Sequence, residues 1–436
     1  MANSISLGNA LNWLDGHINI EKNSHAEFPP PSLVKMREAL QMIGEPHKSY
    51  PVIHVTGTNG KGSTCRMISA LLLAHGLKVA TYMSPHLARI NERILVDLEP
   101  ISDEDLVNEL LTLKLLEEHS GKILSWFELI TAAAFSHFDT VGVDVAVVEV
   151  GMGGVWDATN VIDAEVAVIT NVSWDHVEIL GPELSDIARE KSGIIKPSSA
   201  VVIGVDQIEL LEVFLSRSNR GESILGQDLQ LRSNSQAIGG RVIGVRTKHA
   251  IYDQIFMPLF GPHQGLNAAL AISAVEEFFG RALDLDVVGA AFERVTSPGR
   301  MEVVSRSPLV VLDAAHNPAG MSSARESLLS DFSTVAKWHL VVSMLLGRDA
   351  EEMFLAIRGD NVSSVFISKT RSPRAMEVEE ILDGARKAQL SCQVFETVSD
   401  ALEAAVAGCK DDEGVFVCGS IYTVAEARER FEAIRK

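Results

Sequence analysis

The stretch PVIHVTGTNGKGSTCRMISALLLAHG, residues 51–76, decides the fold. It opens with a short apolar run, passes through a glycine-rich turn that ends at Lys61, and continues as a helical pattern. Glycines let backbone N–H groups approach oxygens closely, and the helix that follows presents its free N-terminal donors and the positive end of its dipole. Strand, turn and helix in that order make a phosphate cradle, with Lys61 adding a charge near the terminal phosphates and Ser63 or Thr64 offering a hydroxyl to Mg²⁺. The candidate nucleotide set is Thr58, Asn59, Gly60, Lys61, Gly62, Ser63 and Thr64. The turn departs from the strict G-x-x-x-x-G-K-[ST] pattern, because Gly57 falls three positions before Gly60 and Gly62 stands directly after the lysine. A bare pattern match rejects it, whereas its strand-turn-helix context supports it.

Outward from this stretch, runs rich in Val and Ile at 51–55, 78–83, 144–150, 165–172 and 200–205 alternate with helical patterns. Such alternation predicts a parallel sheet covered by helices. Residues 208–257 are more polar and irregular, and are read as antiparallel hairpins appended to the first domain. A helix over 266–279 leads to Ser297-Pro298-Gly299-Arg300, a breaker cluster that places a boundary near Pro298. Fresh strand runs at 309–313, 339–345, 364–368 and 414–420 predict a second α/β unit. The expected organisation is a P-loop-containing parallel-sheet ATP-binding domain over 1–297, a linker over 298–303 and a smaller Rossmann-like α/β domain over 304–436.

Ligands of open parallel sheets bind beyond the carboxyl ends of the strands. Glu149 closes one apolar run ahead of Gly151-Met152-Gly153-Gly154, and a strand-end acid near a phosphate loop suits Mg²⁺, which takes one or two carboxylates alongside phosphates. Asp175 and His176 follow the run at 165–172, and Ser84 and His86 follow the run at 78–83, so all three strand ends face one rim. His176 can ligate a metal or hydrogen-bond a phosphate. Lys191, in LSDIAREKSGIIK, reads on composition alone as a solvated helix lysine.

Composition narrows the function. At 436 residues the chain is long enough for two domains, and with 46% hydrophobic and 22% charged residues it has an ordinary globular core. A net charge of -20 argues against a nucleic-acid partner, since phosphates are neutralised by Lys and Arg. The N-terminus lacks a basic, then apolar, leader and no apolar run is long enough for a bilayer, so the expectation is a cytoplasmic protein without a membrane partner. Cys65, Cys392, Cys409 and Cys418 show no paired spacing and read as small packing residues.

Taken in order, GTNGKGS, MSPHL with ARINERI, ELITAAAF, VVEVGMGGVWDATN, ITNVSWDHVEILG, AREKSGIIK, PGRMEV, LDAAHNP and GSIYTVAEAR make the chain resemble the folylpolyglutamate synthase/dihydrofolate synthase family of the Mur ligase superfamily over nearly its whole length. The resemblance implies ATP on the first domain's loop and closure by the C-terminal domain. It implies Mg²⁺ held by Ser63, Ser84, Glu149 and His176, and a Lys191 that is carbamylated. Asn267, Arg300, Asp313 and His316 match residues that reach ATP, and Phe127 and Asp157 fall where related enzymes bind the pterin-containing substrate. Lys61, Lys191, His176 and Arg300 are the implied catalytic set. The implied reaction adds L-glutamate to dihydropteroate, or to the glutamate tail of a reduced folate, through an acyl phosphate, in a monomeric enzyme. Val155 stands where many members carry Arg, and SMLLGRD at 343–349 replaces the more usual Asp-Lys-Asp. Two other readings stay open at this stage: a ligase of peptidoglycan precursors, against which SPHL and DAAHNP count, and a nucleotide-dependent switch that makes no bond.

Overall fold

A computed structural model describes residues 6–22, 33–205, 207–217 and 220–435. Part of the N-terminal segment from which no site residue was inferred, residues 23–32, lies outside them. The first sheet contains β1 (Val52–Thr56), β2 (Val79–Tyr82), β3 (Ile94–Val96), β4 (Glu99–Pro100), β5 (Val145–Glu149), β6 (Val166–Ile169), β7 (Ala200–Ile203) and β8 (Glu222–Ile224). Its order is β4-β3-β2-β5-β1-β6-β7-β8, parallel from β2 to β8, with β3 and β4 antiparallel at one edge. The strands are apolar at successive positions because both faces are covered, as parallel sheets require. Ile53, Val55, Val147 and Val168 pack on one side against the helices Lys61–Ala74 and His263–Phe279. Ala146 and Val148 pack on the other side with Leu129, Phe135 and Phe138 of helix Trp126–Val141. Each fully buried Val, Leu or Phe contributes roughly 1.5–3 kcal/mol.

The antiparallel appendage is shorter than the sequence reading had it. Residues 208–215 are a helix, Ile208–Leu215, whose Leu210, Leu211 and Phe214 are buried, and β8 then joins the main sheet beside β7. Only β9 (Gln230–Ala237), β10 (Gly240–Arg246) and β11 (Ile251–Met257) form the antiparallel sheet, in the order β11-β10-β9. The polarity that suggested continuous hairpins is that of the connections around residue 220, and it masked an apolar helical face.

The second sheet contains β12 (Glu302–Arg306), β13 (Leu309–Leu312), β14 (Lys337–Val342), β15 (Val362–Ile367), β16 (Cys392–Val394) and β17 (Glu413–Cys418), ordered β12-β13-β17-β14-β15-β16. All pairs are parallel except β12–β13. Two apolar clusters sandwich it, one around Trp338, Leu340 and Phe416, the other around Val341, Val415 and Leu402. The buried pair Arg241–Asp331 ties the three-stranded sheet to the end of helix Pro318–Asp331 in the second unit. Among the described residues no helix is long and apolar enough to cross a membrane.

Candidate active site

β1 delivers the chain into the glycine-rich turn, and helix Lys61–Ala74 begins directly after Gly60, whose φ of 82° is a left-handed conformation that a side chain would strain. Asn267 lies against that turn, since a Cβ on Gly60 would meet its Oδ1 at 2.5 Å. The turn is held from β6's exit. Asn59 N donates to Asn171 Oδ1 at 2.9 Å, Thr170 Oγ1 donates to Asn59 O at 2.6 Å, and Thr58 N donates to Asn171 O at 3.0 Å. Lys61 Nζ folds back over the loop onto Gly57 O at 3.1 Å and Thr58 O at 3.2 Å. Thr64 Oγ1 is buried without a hydrogen-bond partner among the described residues, and Ser63 Oγ sits 2.9 Å from Ser297 Oγ just ahead of the second unit.

Glu149 ends β5 beside this turn. It is 4% exposed, and a Cβ on Gly62 would stand 3.5 Å from its Oε2. Ser84 N donates to that oxygen at 3.1 Å, which joins the exits of β2 and β5. Burial raises the Glu149 carboxyl pKa, and the Lys61 charge offsets part of the rise. A buried carboxylate with one backbone donor suits a hard divalent cation, which would supply the missing compensation. Glu149, with Ser84 beside it at the exit of β2, therefore fits Mg²⁺.

Lys191 is not solvated. It is 4% exposed, at the end of helix Leu184–Lys191, and its Nζ donates to Gly57 O at 2.9 Å. Burial, with the Lys61 charge beside it, pulls its pKa from 10.5 to about 7. The composition argument failed here because it took a helix end as exposed, while the phosphate loop covers this one.

His176, at φ 51°, follows Asp175 beyond β6, and burial lowers its pKa to about 4. Burial pushes the Asp175 carboxyl up, but the neighbouring His316, His176 and Arg348 outweigh that and hold it well below the usual carboxylate range. Asp175 is one place where the two units meet. Arg348 pairs with its Oδ1, His316 Nε2 lies 3.6 Å from Oδ2, and Asn317 Nδ2 donates to Oδ2 at 3.2 Å. Asn317 also reaches Asn59 of the phosphate loop, donating to Oδ1 at 3.3 Å. It caps helix Pro318–Asp331 through Gly320 N at 2.7 Å, with proline in the first turn, which is the local reason for the His-Asn-Pro order.

Asp313 spends both oxygens on backbone, accepting Met301 N and Ala315 N at 2.8 Å each, so it clamps the linker that presents Arg300. The Arg300 charge is felt by Glu149 and His263. Phe127 stands in the first turn of helix Trp126–Val141, fixed by the reciprocal capping pair Ser125 and Glu128. A Cβ on Gly151 would meet Phe127 Cζ at 2.5 Å and Asp157 Oδ2 at 3.1 Å, so the three line one wall. Asp157 itself is 3% exposed and accepts Met152 N at 2.9 Å and Thr159 N at 3.0 Å.

The structure thus gathers the loop residues 58–64, Ser84, Glu149, His176, Lys191 and Asn267 at the carboxyl ends of β1, β2, β5 and β6, with Arg300, Asp313 and His316 facing them from the linker and second unit. His86 is drawn elsewhere, accepting Arg93 Nε at 2.9 Å beside Glu21. Sequence reasoning missed Asn317, Arg348 and Glu190. Glu190 Oε1 accepts Trp156 N at 3.4 Å and its backbone carbonyl accepts Val155 N at 3.0 Å, and so it shapes the loop that ends at Asp157. Only the adjacency of Glu190 to Lys191 was there to signal it.

A phosphate loop at the carboxyl end of an interior parallel strand, faced by a second α/β unit, defines the Mur-type ligase class. The Mur ligase middle domain matches residues 55–275, and the Mur ligase glutamate ligase domain matches residues 299–421. Dihydrofolate synthase/folylpolyglutamate synthase of Mycobacterium tuberculosis is 38% identical over 92% of this chain and 90% of its own length. The solved Mycobacterium tuberculosis folylpolyglutamate synthase complexed with ADP superposes with a TM-score of 0.91 at 36% identity, covering 98% of each chain. The Yersinia pestis bifunctional folylpolyglutamate synthase/dihydrofolate synthase complexed with AMPPNP and Mn superposes with a TM-score of 0.86 at 26% identity, covering 98% of each chain. The chain belongs to the dihydrofolate synthase/folylpolyglutamate synthase family of ATP-dependent ligases.

Proposed function

We propose that this ligase joins L-glutamate to dihydropteroate, to the glutamate tail of a reduced folate, or to both. A substrate carboxylate oxygen attacks the γ-phosphorus of ATP, the bond to the β,γ-bridging oxygen breaks, and ADP leaves. The glutamate amine then attacks the acyl phosphate carbon, the amide forms, and phosphate departs with its electron pair while the amine gives up a proton. Such transfer needs positioning and charge neutralisation rather than a protein nucleophile. The observation that supports this most is the convergence of Lys61, Glu149 and Lys191 on one phosphate loop, with Asn317 of the second unit hydrogen-bonded to Asn59 of that loop.

Glu149, Ser84, His176 and a hydroxyl of Ser63 or Thr64 are the residues that would hold Mg²⁺, which supplies charge neutralisation for the phosphates. Thr58 to Thr64, with Asn267, Arg300, Asp313 and His316, make the ATP site, Asp313 through the linker it clamps. Lys61 and Arg300 stabilise the transferring phosphoryl group. Phe127 and Asp157 form the pterin wall. Lys191 is carbamylated: a lysine with a pKa near 7 keeps a neutral amine that can add CO₂ and release a proton, which turns a cation into an anion beside the loop. Residues 1–297 are the ATP-binding domain, 298–303 the linker and 304–436 the closing domain of a cytoplasmic monomer. Closure would exclude water, which hydrolyses acyl phosphates.

The test supplies labelled glutamate, Mg-ATP and either dihydropteroate or tetrahydrofolate. A labelled amide product supports the proposal. ATP hydrolysis that is undiminished without either substrate contradicts it and favours a nucleotide switch, and labelled product only with a UDP-sugar acceptor favours a peptidoglycan ligase.

A further inference from the structure

A second group of side chains with metal-ligating chemistry lies outside the nucleotide cleft. His339 is on β14, Glu413 opens β17, and Cys409 caps the end of helix Val398–Gly408. β14 and β17 are parallel neighbours with Lys337 opposite Glu413 and His339 opposite Val415. His339 and Glu413 therefore project from the same face of the sheet, the face on which Val341 and Val415 pack against that helix. The imidazole, thiol and carboxylate donors lie within 4.8 Å of one another, and His339 Nε2 is 3.0 Å from Glu413 Oε2.

The tetrahedral arms of zinc, roughly 2.0–2.3 Å, hold donors about 3.3–3.8 Å apart, so side-chain shifts of about 1 Å would bring these donors into place. His339 and Glu413 are buried, and Cys409 is half-buried. A thiolate, a carboxylate and a neutral imidazole together cancel a divalent cation, so the occupied site buries no net charge. One nitrogen, one sulfur and one oxygen donor suit zinc, whereas Mg²⁺ and Ca²⁺ take oxygen alone. The outer shell is also present. Ser364 Oγ lies 2.8 Å from His339 Nδ1 and can accept an Nδ1 proton once metal binding takes Nε2, which now hydrogen-bonds Glu413 Oε2 at 3.0 Å. Glu413 Oε2 accepts Lys410 N at 3.1 Å, which holds the carboxylate toward the group, and the Lys410 ammonium, 3.5 Å from Oε1, is 78% exposed and free to swing into solvent.

We propose that His339, Cys409 and Glu413 form a zinc site with three protein ligands and one water, which fastens helix Val398–Gly408 to β14 and β17. It stands at the amino ends of these strands, roughly 15 Å along the sheet from the carboxyl ends that face the nucleotide, so it takes no part in phosphoryl transfer. Cys409 is then a ligand rather than the packing residue its spacing suggested. The test titrates chelator-stripped, reduced full-length protein with Co²⁺. One equivalent should give a thiolate-to-cobalt charge-transfer band, which one equivalent of Zn²⁺ then removes. Cys409→Ser should abolish the band, Cys65→Ser should keep it, and Ser364→Ala should weaken Co²⁺ binding by about tenfold or more. Zn²⁺ should raise the Tm of the parent protein and not that of Cys409→Ser. No band in the parent protein, or a band that survives in Cys409→Ser, overturns the proposal.

Discussion

Gly57→Ala probes the phosphate loop through a single added methyl group. Gly57 has φ of 149°, and a Cβ there would overlap Thr170 Oγ1 outright and stand 3.0 Å from Thr170 Cβ, inside the usual contact of about 3.5–4.0 Å. Thr170 would have to swing away and surrender its 2.6 Å bond to Asn59 O, a loss of about 1 kcal/mol. The positive φ adds about 1–3 kcal/mol of backbone strain. An empty loop relaxes, so the sum of about 2–4 kcal/mol appears as a loss of nucleotide affinity of about 30- to 700-fold. Thr170→Ala alone should weaken binding by about fivefold, but in the Gly57→Ala background it should tighten binding, because it removes the overlapping oxygen. Calorimetric titration with a non-hydrolysable ATP analogue and Mg²⁺ measures all four proteins, and thermal unfolding confirms that each is folded. Folded Gly57→Ala with parental affinity, or Thr170→Ala acting in the same direction in both backgrounds, would refute this reasoning.

Further outcomes follow from the same geometry. Lys61→Ala and Glu149→Ala should abolish amide formation in a folded protein while Cys65→Ala leaves it intact, and near-normal turnover of the Glu149 variant would remove that residue from the metal site. Glu190→Ala removes the carboxylate that accepts Trp156 N; at a net cost of about 1 kcal/mol, KM for the pteroate substrate should rise about fivefold with KM for ATP unchanged, and steady-state kinetics in both substrates would expose a general folding defect instead. Lys191 has a pKa of about 7 in the folded chain against 10.5 when unperturbed. Between those values the unfolded chain binds more protons, so the Lys191 contribution to stability rises with pH across that window and is least favourable below it. In CO₂-free buffer, Lys191→Met should therefore gain most Tm over the parent protein at pH below 7, with the gap closing towards pH 10; a gap that is constant with pH would show that the lysine is not buried as a cation.

The parallel sheets were legible because strands buried on both faces must be continuously apolar, and the runs ending at Thr56, Glu149, Ile169 and Ile203 carry that signature. Where strands meet water the signal failed: β8 and helix Ile208–Leu215 vanished into a polar stretch. Residues after strands were found readily, since the end of an apolar run marks the rim directly, as with Glu149 and His176. Residues that act by holding others escaped. Asn317 and Glu190 bond to backbone and to partners 258 and about 34 positions away, and no local pattern encodes such a reach. Lys191 was the sharpest failure of composition, because its burial depends on the loop that closes over it, more than a hundred positions upstream.

The most direct measurement follows an oxygen atom. Dihydropteroate labelled with ¹⁸O in its carboxylate is incubated with Mg-ATP and L-glutamate, and the phosphate released is examined by ³¹P NMR. An acyl phosphate formed at this cleft requires one ¹⁸O in each phosphate produced with the amide. Phosphate that carries no label while the amide accumulates would contradict the account.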